Sequence, residues 1–343
     1  MEPAFTPDQK AAKIFVLGAT GFIGGAVVRR LAHLGFTNVH CLTRDDAKQA
    51  ALCQGIDAGG LTFLRGDIAA TDVLTEGVRD AAIVLNAAGY ARAWGTREAF
   101  WEVNADAPKA LVELLHSDCQ YIHISSASVY GFAAQDITAD SPIVVSDPLY
   151  TASKGDIHAW LRRRMAQPAG GPITVIAPVI VWGPGDHVYI PGIRSRLAQG
   201  TMMNFAGAKP LAFVHIDDLV DLILLCLHNP KAYGRQLIAD GPDRFTMQSY
   251  ADKIAEYAGF PPATRNVPIW LAMPLATVAE TTTRWANRRN PEKEPDLTRL
   301  QVLLFTKPLP GIAPGAESDL GYVPSRTFEN AIEGIRDYVQ SLA

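Results

Sequence analysis

Short apolar runs alternate with amphipathic stretches through the first half of the chain. Residues 13–17 form a short run, apolar after Lys13, that ends at Gly18 and predicts a buried strand. Residues 21–34 follow with Ile23, Val27 and Leu31 on one helical face, and stop at Gly35. Further strands are predicted at 38–42, 61–64, 83–85, 120–124 and 173–176, with a helical pattern at 105–116. Strand and helix alternating in this way predict an α/β fold, a Rossmann-type doubly wound parallel sheet covered on both faces.

Beyond Ala177 the pattern loosens. Pro178, Gly183, Pro184, Gly185, Pro191 and Gly192 predict loop and turn. Residues 211–227 read as strand then helix, 235–239 as a strand, 246–257 as a capped helix and 261–268 as a loop. Residues 269–285 predict a helix kinked at Pro274, and 287–295 a solvated charged segment. A closing helix is expected over 326–342, with Phe328, Ile332, Ile335 and Val339 on one side.

Composition narrows the function classes. A chain of 343 residues buries a substantial core in one or two domains. Net charge is −4, which gives no general pull toward nucleic acid or anionic membranes. Cys41, Cys53, Cys119 and Cys226 show no CxxC spacing, so neither a zinc site nor a disulfide framework is expected. No apolar stretch reaches the roughly 18 residues of a membrane span, and residues 1–10 do not read as a signal peptide. A cytoplasmic location is the expectation.

The candidate phosphate cradle is Gly18, Thr20, Gly21, Phe22, Ile23 and Gly24. A helix N-terminus offers unpaired N–H groups and a positive dipole end, and pyrophosphate reaches them only where the backbone approaches closely. Gly18 makes the turn, Gly21 the approach, and Gly24 the close packing of helix on strand. The GxxGxxG spacing differs from GxGxxG, but the flanking strand and helix support dinucleotide binding. Arg44 follows the second strand, where an acidic residue commonly grips a ribose 2′-hydroxyl; an arginine suits a 2′-phosphate. The neighbouring Asp45 is able to accept from a hydroxyl, so NADP is favoured and NAD stays possible. Asp67 and Ile68 are placed to flank an adenine, though a plain turn aspartate is nearly as good a reading. Ala87, Ala88 and Gly89 are small residues where a cofactor would cross the sheet edge.

The chemistry is read from Ser126, Tyr150 and Lys154. Tyr150 and Lys154 are four apart, one turn from each other on a helix. A cation within about 4–6 Å favours a phenolate by roughly 1–3 pKa units, making Tyr150 a usable proton donor and acceptor. Ser126 follows the fifth strand, where a hydroxyl can bond the oxygen that gains charge on hydride addition.

Taken together, these motifs resemble the extended short-chain dehydrogenase/reductase superfamily. The matching residues are Gly18-Ala-Thr-Gly21-Phe-Ile-Gly24, Gly66-Asp67-Ile68, Val103-Asn104, Ser125-Ser126-Ala-Ser-Val-Tyr130-Gly131, Tyr150-Thr-Ala-Ser-Lys154 and Phe213-Val-His-Ile-Asp217-Asp218. The resemblance implies a Ser126/Tyr150/Lys154 triad, with Lys154 also bonding the nicotinamide ribose. It places Asn104 on a helix behind the site and Pro178 and Val179 against the nicotinamide. It also implies a Rossmann domain over 11–177 with 207–240 returning to it, a smaller and mostly helical substrate subdomain over 178–206 and 241–343, and a homodimer. Ala177 stands where such proteins often carry arginine, which slightly weakens a nucleotide-sugar reading. Pro268-Ile-Trp270-Leu-Ala-Met-Pro274, Pro295-Asp-Leu-Thr298-Arg299 and Leu320-Gly-Tyr322-Val-Pro324 look like the 3β-hydroxysteroid dehydrogenase-like group.

The expected activity is NADP-dependent hydride transfer between the nicotinamide and a ketone or secondary alcohol of a hydrophobic small molecule. The alternative is a nucleotide-sugar epimerase or dehydratase, for which Arg194, Arg196 and Lys209 are available to a diphosphate. A cofactor-sensing protein without turnover is a third reading.

Overall fold

The computed structural model describes residues 3–132, 137–144, 148–167, 170–287, 293–307 and 319–342. Its centre is a seven-stranded sheet in which every pairing is parallel. In chain order its strands are β1 (Ile14–Leu17), β2 (Val39–Thr43), β3 (Leu61–Arg65), β4 (Ile83–Asn86), β5 (Gln120–Ile124) and β6 (Ile173–Pro178). After three strands outside it, β7 (Ile180–Trp182), β8 (Met203–Ala206) and β9 (Leu211–His215), the sheet closes with β10 (Arg235–Ala239). The spatial order is β10-β6-β5-β4-β1-β2-β3.

Successive side chains of one strand enter opposite layers. Ile14 and Val16 join one core layer and Phe15 and Leu17 the other, all four fully buried. Such a strand must be apolar at every position, which is why it reads as an unbroken run. The order in which strands are added reverses between β1 and β4, so the connections after these two strands run to opposite sides and leave a crevice.

The remaining residues form a second body of core, in which Trp182, Phe213, Phe245 and Tyr250 pack together and the Phe213 and Phe245 rings stack at 3.9 Å. A three-stranded sheet joins β9 to β7 and to β11 (Arg244–Phe245). Of the stretch 207–240, Leu211–His215 therefore pairs outside the large sheet, whereas Arg235–Ala239 pairs within it.

Several predicted boundaries are corrected. The expected loop 261–268 contains β12 (Arg265–Pro268), which pairs in parallel with β8. Its strand character comes from that distant partner, and Pro268 at its end forfeits no interior ladder bond. Pro191 and Gly192 lie in helix Ile190–Ala198, not in a turn; proline in a first turn removes an N–H that has no intrahelical partner anyway. The closing helix is broken into Phe328–Ala331, a 3₁₀ turn at Ile332–Ile335, and Arg336–Ser341. Gly334 lies in the tight turn, and the apolar face survives, with Ile332, Ile335 and Val339 buried. The segment 287–295 lies largely outside the described residues.

Candidate active site

Gly18 leaves β1 at φ +74°, and a Cβ there would lie 2.6 Å from Ala88 N and 2.7 Å from the Ala87 carbonyl carbon. The turns after β1 and β4 thus touch at Gly18, Ala87 and Ala88. A Cβ on Gly24 would strike the Gly18 carbonyl, so helix Phe22–His33 packs directly on that turn. Gly21 is the N-cap and no side chain caps this helix, which leaves first-turn N–H groups free of side-chain partners. Thr20 completes the turn before Gly21, while Phe22 and Ile23 pack partly into the core. An uncapped 12-residue helix behind a turn bounded by Gly18 and Gly21 fits a pyrophosphate.

At the ends of β2 and β3, Arg44 Nη1 pairs with Asp67 Oδ2 at 2.6 Å, with the arginine side chain 73% exposed. A hydrogen bond from Ala69 N, followed by the Arg44 contact, holds the Asp67 carboxyl below its ordinary pKa despite partial burial. Asp45 accepts from Ala47 N and Lys48 N at 2.9 and 3.1 Å and caps helix Asp46–Cys53. Ile68 is buried in the core.

Helix Leu149–Met165 carries Tyr150 and Lys154. Ser126 sits after β5 and accepts from Ser128 N at 3.3 Å, with its Oγ 2.9 Å from Ser128 Oγ. Burial raises the Tyr150 pKa, and a hydrogen bond with Ser126 draws it part of the way back. Lys154 is buried, donates to the Ile124 carbonyl at 3.0 Å, and is lowered by burial to about 8. The net shift of Tyr150 is thus opposite to the depression expected from the lysine spacing, with desolvation its largest cause.

Asn104 lies on a π turn, Glu102–Asp106, inserted in the helical stretch that runs from Arg97 to Glu113. Its Oδ1 accepts from Tyr90 N at 2.7 Å, and its Nδ2 donates to Ser153 Oγ at 3.0 Å. A Cβ on Gly89 would lie 3.3 Å from Lys154 Nζ, so Gly89, Asn104 and Lys154 converge. Pro178 and Val179 end β6 at the same edge, where Val179 N donates to the Ala239 carbonyl at 3.0 Å.

Two supporting groups were missed in the sequence. His158, one turn beyond Lys154, contacts Ser125 Oγ through Nδ1 at 2.8 Å and Gln236 Oε1 through Nε2 at 2.9 Å. Arg162 Nε donates to that same oxygen at 2.7 Å, so His158 Nε2 carries the proton and Ser125 donates to Nδ1. Burial holds His158 down at about 4, against the Gln236 bond that favours its charge. The imidazole is a neutral strut for the Ser125–Ser126 turn. Asp186 is the second. Its Oδ1 accepts from Val188 N and Tyr189 N, both at 2.9 Å, and Tyr250 O–H donates to its Oδ2 at 3.2 Å. It braces the loop that brings His187 within 6.1 Å of the Phe22 ring and Tyr189 within electrostatic range of Tyr150.

Asp186 predicts a pH effect. Burial raises it from 3.8 to about 6, so the folded state binds its proton more tightly than the unfolded state. Its stabilising contribution is full below pH 3.8 and is lost as pH rises through 6, in all roughly 3 kcal/mol. Asp186→Asn keeps the two backbone bonds to Oδ1. The difference between wild-type and variant stabilities, from urea unfolding at pH 4.5 and 7, is expected to shift toward the variant at pH 7. An unchanged difference refutes the assignment.

The family model for the NAD-dependent epimerase/dehydratase family matches residues 14–238. The chain belongs to that family. It is an enzyme of the extended short-chain dehydrogenase/reductase type, working with a nicotinamide cofactor on CH–OH and C=O groups. Among similar proteins is a 2-alkyl-3-oxoalkanoate reductase of Shewanella oneidensis, 24% identical, covering 96% of this chain and 87% of that protein. A UDP-glucose 4-epimerase of Vibrio cholerae is 27% identical over 77% of this chain and 82% of its own length. In fold the chain is similar to the UDP-glucuronic acid 4-epimerase of Bacillus cereus, solved with NAD, at TM-score 0.73 and 19% identity over 96% of this chain and 97% of that one.

Proposed function

We propose that the protein is an NADP-dependent oxidoreductase that interconverts a ketone and a secondary alcohol on a hydrophobic small molecule. What carries this reading is the arrangement at the carboxyl end of β5: half-buried Ser126 and Tyr150 share a hydrogen bond, and buried Lys154, one turn on from Tyr150, donates to the Ile124 carbonyl. Support for a ketone comes from the oxoalkanoate reductase, whose similarity runs through the C-terminal part as well, whereas the epimerase matches 77% of the chain.

Gly18, Thr20, Gly21 and Gly24 hold the pyrophosphate, Arg44 the 2′-phosphate, and Asp67 with Ile68 the adenine. Ala87, Ala88, Gly89, Asn104, Pro178 and Val179 border the nicotinamide half. When bound, the cofactor supplies or takes the hydride. Ser126 and Tyr150 orient the ketone oxygen by hydrogen bonds, and Tyr150 delivers its phenolic proton there as the carbonyl carbon gains its hydride. The product is the alcohol and a phenolate, which the Lys154 ammonium stabilises until it is reprotonated. Residues 178–206 and 241–343 are assigned to the substrate.

Arg44 decides cofactor choice in this reading. Arg44→Ser is expected to raise the KM for NADPH by about tenfold to a hundredfold, the worth of a charge-assisted hydrogen bond, and to leave that for NADH nearly unchanged. Equal changes with both cofactors refute it.

One observation favours the second reading, a nucleotide-sugar epimerase or dehydratase: the Nε of Arg194 is buried without a hydrogen-bond partner among the described residues. Purified enzyme is to be screened with NADPH against 3-oxo acyl compounds, cyclic ketones and UDP- and dTDP-sugars. Net, stoichiometric NADPH consumption with a ketone is expected. Sugar inversion without net cofactor consumption overturns the proposal.

A further inference from the structure

Helix Ile269–Ala286 is covered on one side only. Ala272, Ala276 and Glu280, spaced by four, are buried toward β8, β12 and helix Arg299–Thr306. The opposite side bears Trp270, Leu275, Val278 and Trp285, with Trp270 76%, Val278 61% and Trp285 72% exposed. Four of the eight large hydrophobic side chains exposed among the described residues thus sit on this single helix. Scattered exposed apolar residues are ordinary, whereas such a concentration marks a contact surface.

The polar chemistry of this face is already satisfied. Thr277, Thr281 and Thr282 donate to the carbonyls of Met273, Thr277 and Val278 at 2.9, 2.7 and 2.9 Å. Hydroxyls bonded within their own helix lower the cost of leaving water. The helix has one acidic residue, Glu280, which is turned inward and bonded to Arg299 N and Nε at 2.7 and 2.8 Å. Its other charge is Arg284, and the sequence that follows is mixed in charge, with Arg288, Arg289 and Lys293 beside Glu292 and Glu294. The helix therefore presents an apolar stripe with no exposed acid on it and one exposed cation, Arg284, in its last turn. Tryptophans 15 residues apart bracket the stripe over about 22 Å, and tryptophan favours the boundary between lipid and water.

The stripe also adjoins the candidate site. The Arg284 guanidinium lies over the Trp94 ring at 4.8 Å, and Trp94 belongs to the loop after β4 that carries Gly89 and Tyr90. Among the described residues no helix is long and apolar enough to cross a membrane, so the stripe is suited to lying along a surface.

We propose that the outer face of helix Ile269–Ala286 docks on an anionic lipid bilayer, and that the hydrophobic substrate reaches the neighbouring cleft from that bilayer. The delivery step rests on the ketone reading of the site; the docking step does not. The test is co-sedimentation of the full chain with vesicles of phosphatidylcholine alone and of phosphatidylcholine with phosphatidylglycerol, together with tryptophan emission. The wild type is expected to sediment with the anionic vesicles and to shift its emission to the blue. Val278→Asp, at an exposed position, is expected to keep its far-ultraviolet circular dichroism and to bind vesicles about tenfold or more weakly. Absence of wild-type vesicle binding overturns the proposal whether or not the enzyme reduces ketones. So does a concentration-dependent dimer that Val278→Asp dissociates while vesicle binding is absent, because a second copy then covers the face. Failure to reduce any ketone, with vesicle binding intact, removes the delivery step and the functional reading and leaves the docking step standing.

Discussion

Tyr150→Phe is expected to lower ketone reduction by about 10²–10⁴-fold, the usual weight of a positioned acid, while NADPH binding is retained. The substitution removes one oxygen and leaves Gly18, Gly21, Gly24 and Arg44 untouched. Its structural cost is small, since Ser126 keeps its contact with Ser128 and one hydrogen bond contributes about 1 kcal/mol. The direction of the Tyr150 pKa sharpens the expectation. Burial holds the proton on the phenol at neutral pH, so the resting side chain is already an acid ready to donate. Reduction then needs no prior ionisation, whereas alcohol oxidation needs the phenolate and is expected to speed up with pH. Single-turnover reduction by the variant, with cofactor binding measured separately by fluorescence, checks this. A variant that keeps a tenth of the wild-type rate removes Tyr150 from the chemistry.

The parts of this molecule that were legible in its sequence are those dictated by local pattern. β1 declared itself because a strand buried on both faces is apolar throughout, whereas β3, with Thr62 and Arg65 exposed, and β5, with Gln120 and His123 buried, were read from their remaining apolar positions. The glycine turn was visible because the touching of two loops at Gly18 and Ala88 leaves no space for a side chain. The Tyr150–Lys154 spacing follows from helix geometry alone. Pairings between distant segments were hidden. β8 and β12 lie 62 residues apart and neither is apolar throughout. The contacts of His158 with Gln236 and of Asp186 with Tyr250 span 78 and 64 residues. The π turn that aims Asn104 at Tyr90 has no compositional marker. The direction of the Tyr150 shift was misread for a related reason. Sequence spacing reports that a lysine is near, but not how deeply both groups are buried, and burial decides which of them titrates first.

Lys154 carries the second large effect, in which activity and stability part. Bringing its ammonium from 10.5 to about 8 means the fold opposes that charge by roughly 3 kcal/mol at neutral pH. Methionine has a similar length and no charge to desolvate. Lys154→Met loses the hydrogen bond to the Ile124 carbonyl, at about 1 kcal/mol, so a net gain of about 2 kcal/mol in folding stability is expected at pH 7. Turnover is expected to fall by about 10²–10⁴-fold, because no cation then stabilises the Tyr150 phenolate left after proton delivery. The pH dependence separates this account from simple repacking. The folded lysine binds its proton less tightly than the unfolded one, so its penalty is full below pH 8 and is relieved as pH rises toward 10.5. Wild-type stability should therefore gain on that of the variant between pH 8 and 10, narrowing a gap that is widest near neutrality. Guanidinium unfolding of both proteins across that range measures it. A variant less stable than wild type at pH 7 would mean that the buried ammonium is a net contributor to the fold, and the functional argument for keeping a charge there would lose its physical ground.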